Sequence, residues 1–168
     1  MPSEKFFNSG DLIYIQGEPN PNVYRILEGR VAAYFSLKSH ILIDIFAPGN
    51  IIGTGTFESG VNFFTAEALG KVKIEVIDFE REKEYFFEKG YVVAVLQLVN
   101  RINEKLNESG IKDESCLIPF FKKSEFIDEG FFGRFFSYNL VRKAIEMLEK
   151  TKEIEKREQG KYYFTKRK

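Results

Sequence analysis

The sequence predicts an α+β fold in which a jelly-roll-like β domain, a long helix and a small C-terminal module of helices and strands follow one another. Three observations support this prediction: alternating apolar segments over residues 10–80, an apolar heptad pattern over residues 91–106, and a capped amphipathic helix before a strand–glycine–strand pattern over residues 137–164. We expect the three parts to span residues 1–82, 83–110 and 111–168.

The N-terminal part contains short segments with the period-two alternation of half-buried strands. One segment, residues 71–77, places Val72 and Ile74 on the same face. Glu28 and Gly29 connect two further segments tightly, which predicts a hairpin. Strands about 8–12 residues apart are typical of a β-sandwich or barrel. The other predicted strands lie at residues 11–15, 23–27, 30–35 and 40–46, and residues 80–89 are predicted to be helical.

A long helix is predicted over residues 91–106, which contain neither proline nor glycine. Its apolar residues recur at spacings of 3, 4, 3 and 4, the a/d pattern of a helix that packs along another helix. We predict that this stripe forms the interface of a homodimer, and packing of the stripe against the β domain of the same chain is the alternative. The stripe consists of Val92, Val95, Val99, Ile102 and Leu106.

Composition excludes several classes of protein. The 168 residues are 43% hydrophobic and 30% charged, as in soluble globular chains. No apolar run reaches the ~18 residues of a membrane span, and the first residues lack the apolar core of a signal peptide, so a cytoplasmic location without membrane contact is expected. The single Cys116 excludes an intrachain disulfide and a multi-cysteine iron–sulfur cluster, and the single His40 argues against a histidine-rich metal site. We interpret Cys116 as a buried apolar residue and His40 as a solvated turn residue, and we expect no cofactor.

The net charge of zero is unevenly distributed. Residues 1–109 carry 11 Lys and Arg against 15 Asp and Glu, whereas residues 134–168 carry 11 against 5. An anionic partner is therefore expected to meet the C-terminal end.

The C-terminal module is built around one predicted helix. Ser137 is a favourable N-cap for a helix over residues 137–150, and polar and cationic residues occupy its first two turns. Residues 154–164 then predict a strand, a turn at Gly160 and a second strand. The apolar face of the helix comprises Leu140, Val141, Ala144, Ile145 and Leu148.

These segments together resemble the Crp/Fnr transcription regulators. The resemblance rests on Gly10-Asp-Leu-Ile, on Gly-Arg-Val over residues 29–31, on Pro-Gly-x-x-x-Gly over residues 48–53, and on the order of Ser, Val, Met-Leu-Glu, Ile and Gly after residue 136. It implies a cyclic-nucleotide-binding β-roll, a dimerisation helix and a winged helix–turn–helix. The first helix of that motif would lie in residues 124–132, after a shortened connecting helix at residues 113–123.

The phosphate cassette of the β-roll departs from the family pattern. The family has Gly-Glu, then small residues, then Arg followed by Ser/Thr-Ala, and the Arg pairs with the cyclic phosphate. Here the Glu is replaced by Thr and the Arg by Phe, and residues 39–70 contain no Lys or Arg, so we predict that cAMP does not regulate the chain. We expect Phe57, Phe63 and Phe64 to fill the pocket as core, with a pocket for a neutral or apolar effector as the alternative. The degenerate pocket comprises Gly53, Thr54, Phe64, Thr65 and Ala66.

The same resemblance implies that the helix over residues 137–150 reads DNA. Ser137 and Lys143 would hold phosphates, and the base-edge candidates are Tyr138, Asn139 and Arg142. Since Tyr138-Asn139 replaces the family's usual Arg-Glu pair, a Crp-type target sequence is not expected. The wing would add salt-dependent affinity through Lys156, Arg157 and Lys161.

The sequence thus predicts a homodimeric regulator of transcription that binds double-stranded DNA and has no enzymatic activity. Whether it also binds a small-molecule effector is left open by the sequence. The alternative from another class is a degenerate sensor or interaction module that does not bind DNA. An enzyme is the weakest reading, because no nucleophile–base pair, metal-ligand spacing or phosphate-binding glycine loop ahead of a helix occurs.

Overall fold

The computed structural model describes residues 3–36, 40–54, 60–89 and 114–165, and for Cys116 the backbone alone. The chain divides into two compact units, Met1–Ser109 and Gly110–Lys168. The predicted dimerisation helix and its stripe lie outside the described residues and stay a prediction. Within the described ranges, no helix is long and apolar enough to span a membrane.

The first unit consists of two four-stranded antiparallel sheets followed by a helix. One sheet has the order β1-β8-β3-β6 and the other β2-β7-β4-β5, so the predicted jelly-roll-like β domain is confirmed. The helix predicted over residues 80–89 is present as α1, which spans Phe79–Glu88, and the Asp78 side chain caps it by accepting from the Arg81 backbone N–H at 3.2 Å. The strands are β1 Ser3–Phe7, β2 Leu12–Tyr14, β3 Asn22–Glu28, β4 Val31–Phe35, β5 Ile41–Phe46, β6 Ile51–Ile52, β7 Thr65–Ala68 and β8 Val72–Asp78.

The predicted hairpin at Glu28-Gly29 is wrong. Strand β3 pairs with β6 and β8, whereas β4 pairs with β5 and β7, so the chain crosses from one sheet to the other at this point. Gly29 has a φ of +84°, and a Cβ there would overlap the carbonyl oxygen of Lys71. The glycine therefore permits a sharp corner that closely approaches the segment leading into β8.

The main core of this unit lies between the two sheets, and in a smaller cluster Phe79 and Phe86 of α1 pack against Val23 of β3. The inward faces follow the alternation of the strands, as at Val72 and Ile74 in β8. The buried residues of the main core are Tyr14, Tyr24, Ile26, Val31, Ala33, Ile43, Ile52, Phe64, Ala66, Ala68, Val72 and Ile74.

The second unit combines short helices with a three-stranded antiparallel sheet of order β10-β11-β9. The sequence-predicted helix near residues 137–150 and the strand–glycine–strand pattern are both present, with Gly160 at a φ of +72° in the turn. The elements are a 3₁₀ turn at Glu114–Cys116, α2 Ile118–Lys123, β9 Phe126–Asp128, α3 Glu129–Phe132, α4 Tyr138–Lys150, β10 Ile154–Glu158 and β11 Lys161–Phe164.

The helix predicted within residues 124–132 is corrected by the structure. Its first half is strand β9, in which Phe126 lies opposite Tyr163 of β11 and Ile127 is fully buried. The helix α3 is a single turn that begins only at Glu129, where the Asp128 side chain accepts from the Phe131 backbone N–H at 3.0 Å. Pairing with β11 thus outweighs local helix formation over residues 126–128.

Candidate functional site

Aromatic rings fill the part of the β-roll interior where the sequence placed a degenerate effector pocket. Phe64 is 2% exposed, and its ring centroid lies 6.1 Å from that of Tyr14 and 6.5 Å from that of Phe46. Tyr14 in turn stacks on Tyr24 at 5.5 Å. The ring of Phe64, which the sequence resemblance aligns with the family's arginine, therefore lies in continuous apolar packing.

The packing of these rings leaves no room for a side chain at Gly53. Its φ is +82°, and a Cβ there would lie 2.9 Å from Tyr24 Cδ2 and 3.0 Å from the carbonyl oxygen of Asn22. Its backbone N–H donates to the Tyr14 hydroxyl oxygen at 3.0 Å. Burial raises the pKa of Tyr14 far above its ordinary value, so this hydroxyl is neutral. Close packing within this chain thus explains the glycine at position 53. The neighbouring Thr54 is also buried.

The retained Thr-Ala pair lies in β7, whose four residues are all buried. The Thr65 hydroxyl oxygen accepts from the Gln16 backbone N–H at 3.0 Å and lies 2.8 Å from the Ser36 hydroxyl oxygen. Ala66 is fully buried opposite Ala33 of β4. Both residues therefore have partners within the β-roll itself.

A buried hydrogen-bond network beside the rings was missed by the sequence analysis. The Asn20 side-chain amide donates to Asn62 Oδ1 at 2.7 Å, and the Tyr24 hydroxyl donates to Asn20 Oδ1 at 3.0 Å. Burial raises the pKa of Tyr24, so its hydroxyl keeps the proton that it donates. Asn20 and Asn62 are 42 residues apart, so no local pattern could have paired them.

In the part of the β-roll that the structure describes, the interior contains no buried counter-charge for a phosphate. Within the described ranges, the buried polar and charged side chains include no Lys or Arg. An anion placed there would lose its hydration without gaining an ion pair. In the β-roll these buried side chains are Asn20, Thr54, Asn62, Thr65 and Glu67.

The second candidate site is the exposed side of α4. Ser137 caps the helix, since its hydroxyl oxygen accepts from the Leu140 backbone N–H at 3.3 Å. Tyr138 is 69% exposed, and Asn139 and Lys143 are also exposed. Among the residues that the structure describes, no carboxylate pairs with Lys143. The opposite side of the helix is buried through Val141, Ala144, Ile145 and Leu148.

Arg142 differs from the other candidates because it has partners within its own unit. Its Nη1 donates to the Tyr162 hydroxyl oxygen at 2.9 Å and lies 3.6 Å from Glu129 Oε1, and its Nη2 lies 3.8 Å from Glu146 Oε1. The pKa of this guanidinium is raised, first by the hydrogen bond to Tyr162 and further by the charge of Glu129. The predicted base-edge residue thus reaches towards α3 and β11.

The wing carries its cations beside aromatic rings. Arg157 contacts Glu155, with Nε 2.7 Å from Oε1, and lies 5.1 Å from the Tyr163 ring centroid. Lys161 lies 3.4 Å from Glu158 Oε2 and 5.7 Å from the Phe126 ring centroid. The exposed Lys156 has no carboxylate partner among the described residues. Of the three predicted wing cations, Lys156 is therefore the one whose charge is uncompensated.

The two four-stranded sheets and the helix that follows them place this unit in a known class of domain. Residues 4–98 match the family model described as the cyclic nucleotide-binding domain, which is more than half of the chain. The chain belongs to the cyclic nucleotide-binding domain family. A search of curated proteins found no match.

Solved structures of similar fold extend the likeness over nearly the whole chain. FixK2 from Bradyrhizobium japonicum is 15% identical, with a TM-score of 0.72 over 99% of this chain and 94% of that chain. TTHB099, a CRP-family transcriptional regulator from Thermus thermophilus, is 16% identical, with a TM-score of 0.70 over 95% and 91%. The c-di-GMP-responsive global regulator CLP from Xanthomonas campestris is 11% identical, with a TM-score of 0.64 over 98% and 94%. At these identities the likeness establishes the fold, which is that of CRP-like regulators.

Proposed function

We propose that this chain is a DNA-binding transcriptional regulator of the Crp/Fnr type that acts as a homodimer and does not respond to cAMP. The observation that carries the proposal is the second unit, in which α3, a short turn and the capped α4 precede a glycine-turned strand pair. This is the element order of a winged helix–turn–helix. The excess of Lys and Arg over residues 134–168, 11 against 5 Asp and Glu, gives this end the charge that DNA phosphates attract.

Within this proposal the first two turns of α4 enter the major groove. Tyr138 and Asn139 are exposed and contact base edges, while Ser137 and Lys143 contact phosphates. Lys156 adds a phosphate contact from the wing. Arg157 and Lys161 contribute less to affinity, because each is already paired with a glutamate.

Independence from cAMP is supported by the β-roll interior. The sequence resemblance aligns Phe64 with the phosphate-binding arginine, and its ring packs against the rings of Tyr14 and Phe46. A cyclic nucleotide would therefore need both a counter-charge and space that the described interior does not supply. Homodimerisation is proposed from the apolar stripe of residues 91–106.

The experiment starts with selection of duplexes from a random library by the full chain at low salt. Affinity for the selected duplex is then measured from about 50 to 200 mM salt, with the stoichiometry from sedimentation. We expect two chains per duplex and an affinity that falls steeply with salt. Lys143→Gln should lower the slope of log K against log salt by about 1, because one phosphate contact is lost.

Lys150→Gln is the matched control, since it removes the same charge from the last turn of the same helix. The N-terminal residues of a recognition helix meet the bases, so the Lys150 variant should bind as the wild type does. Selection of no duplex at low salt would refute the proposed function.

A second candidate function is a sensor or interaction module that does not bind DNA. The favouring observation is that α3 contains only four residues, a short first helix for a helix–turn–helix. On this alternative the chain would show no salt-dependent retention on DNA or heparin, and a flat response would support it.

A further inference from the structure

Arg142 lies where three elements of the C-terminal unit meet. It belongs to the second turn of α4, and its Nη1 donates to the Tyr162 hydroxyl of β11 at 2.9 Å. The same nitrogen lies 3.6 Å from Glu129, the first residue of α3. One guanidinium thus joins the proposed recognition helix to the wing and to the helix that precedes it.

The neighbourhood of this contact ties the same elements together a second time. The Glu129 backbone N–H donates to the carbonyl oxygen of Gly160 in the wing turn at 2.8 Å. Tyr162 lies in the middle strand of the sheet, opposite Lys156 on one side and Ile127 on the other. The wing is therefore coupled to α4 through the buried Tyr162 and through the planar guanidinium of Arg142, which makes several contacts at once.

The carboxylates around Arg142 also argue against a direct contact between its guanidinium and a DNA base. Its side chain is 29% exposed, and both Glu129 and Glu146 lie within 3.8 Å of its nitrogens. If Arg142 turned towards a base, Glu129 and Glu146 would lose this cation, and their negative charges would lie close to the DNA phosphates. The neighbouring Lys143 has no such partner among the described residues, so the two adjacent cations have different surroundings.

We infer that Arg142 is a positioning residue for DNA recognition, which holds the wing in a fixed position relative to α4 through Tyr162 and Glu129, and that it does not read a base. The inference rests on the proposed function and deepens it. Pre-ordering matters because two elements that move independently must be ordered together when they bind, and that entropy cost reduces affinity. Tyr162 is 2% exposed, so its effect on DNA affinity has to pass through another residue.

The experiment compares Tyr162→Phe and Arg142→Gln with the double variant in the full chain, using the duplex selected by the wild type. All proteins are measured at a temperature at which circular dichroism shows each to be fully folded, so that lost stability alone does not change the affinity. We expect Tyr162→Phe to weaken binding by roughly 3- to 10-fold without changing the salt slope, because it removes a charge-assisted hydrogen bond and no charge. In the Tyr162→Phe background, Arg142→Gln should weaken binding by a smaller factor than it does in the wild-type background, because the contact with Tyr162 is already lost.

Tyr163→Phe is the matched control, because it removes the same hydroxyl from the next residue, where that group is 3.5 Å from Glu158 and exposed. It should bind as the wild type does. Hydroxyl-radical footprints provide the readout of position: Tyr162→Phe should lose protection at the wing contact and keep it at the major groove read by α4.

The outcomes separate this inference from the proposed function. If the wild type selects no duplex, both fall together. If the wild type binds but Tyr162→Phe binds equally well, or the effects of Tyr162→Phe and Arg142→Gln multiply in full, the positioning role alone is overturned. Loss of discrimination at a single base pair in Arg142→Gln, with the wing footprint intact, would instead make Arg142 a direct reader of sequence.

Discussion

Replacing Phe64 with alanine should remove a large part of the stability of the N-terminal unit. The ring is 2% exposed and lies between Tyr14 and Phe46 in the interior of the two sheets. An aromatic side chain buries about 150–250 Å², which at about 25 cal/mol/Å² corresponds to roughly 4–6 kcal/mol as an upper value. Alanine retains a little of this area and leaves a cavity, so we expect a loss of about 3–5 kcal/mol. Domains of this size are stable by only about 5–15 kcal/mol.

The assay is native-state hydrogen exchange with peptide resolution, because it reports the opening free energy of each unit separately. In Phe64→Ala, the opening free energy measured for peptides from β7 and β8 should fall by the full amount of about 3–5 kcal/mol, which is the range typical of truncating a buried phenylalanine. Phe6→Ala is the control, since that ring on β1 is 73% exposed and its loss should cost below about 1 kcal/mol. A cost for Phe64→Ala below about 1 kcal/mol, or equal to that of Phe6→Ala, would refute the account of Phe64 as an interior core residue.

Substitutions at Gly53 and at Ser137 test local geometry. Gly53→Ala should destabilise the N-terminal unit by at least about 1 kcal/mol more than Gly10→Ala, because both glycines have positive φ but only the Cβ at Gly53 would collide with Tyr24. Equal midpoints in urea denaturation for the two variants would contradict the predicted collision. Ser137→Ala should cost about 1 kcal/mol of stability through the lost cap on the Leu140 N–H, whereas Ser137→Asp should keep the cap yet weaken DNA binding by adding a negative charge beside the phosphates. Thermal unfolding and gel-shift titration check the two effects independently, and an aspartate variant with wild-type DNA affinity would remove Ser137 from the phosphate contacts.

Alternation and turn residues predicted most strands of the β-roll, and the failures have physical causes. Strand β8 shows the alternation of a strand with one buried face. Strand β7 was missed because its sequence, Thr-Ala-Glu-Ala, contains two polar residues and two alanines and so lacks the large apolar residues typical of a buried strand, although all four residues are buried. The corner at Gly29 has the composition of a hairpin turn, and only the pairing of its neighbours with different sheets distinguishes the two. Strand β9 depends on a partner, β11, that lies more than 30 residues further along the chain.

The candidate sites were predictable to the extent that they are local. Ser137 as a cap and the exposed first turns of α4 follow from neighbouring residues. The role of Arg142 does not, because Tyr162 is 20 residues away and Glu129 is 13 positions earlier in the chain. Likewise, the sequence predicted that Phe64 would replace an arginine, but the Tyr14 hydroxyl that receives the Gly53 N–H comes from 39 residues away. Long-range partners such as these are invisible to periodicity and spacing.

The rings of Tyr14, Tyr24 and Phe64 act on the β-roll as a ligand that is covalently tethered to its own receptor. A diffusing metabolite occupies a site in proportion to its concentration, whereas a tethered group has a fixed effective concentration set by the backbone that carries it. Occupancy of the space that these three rings fill is therefore independent of the concentration of any metabolite.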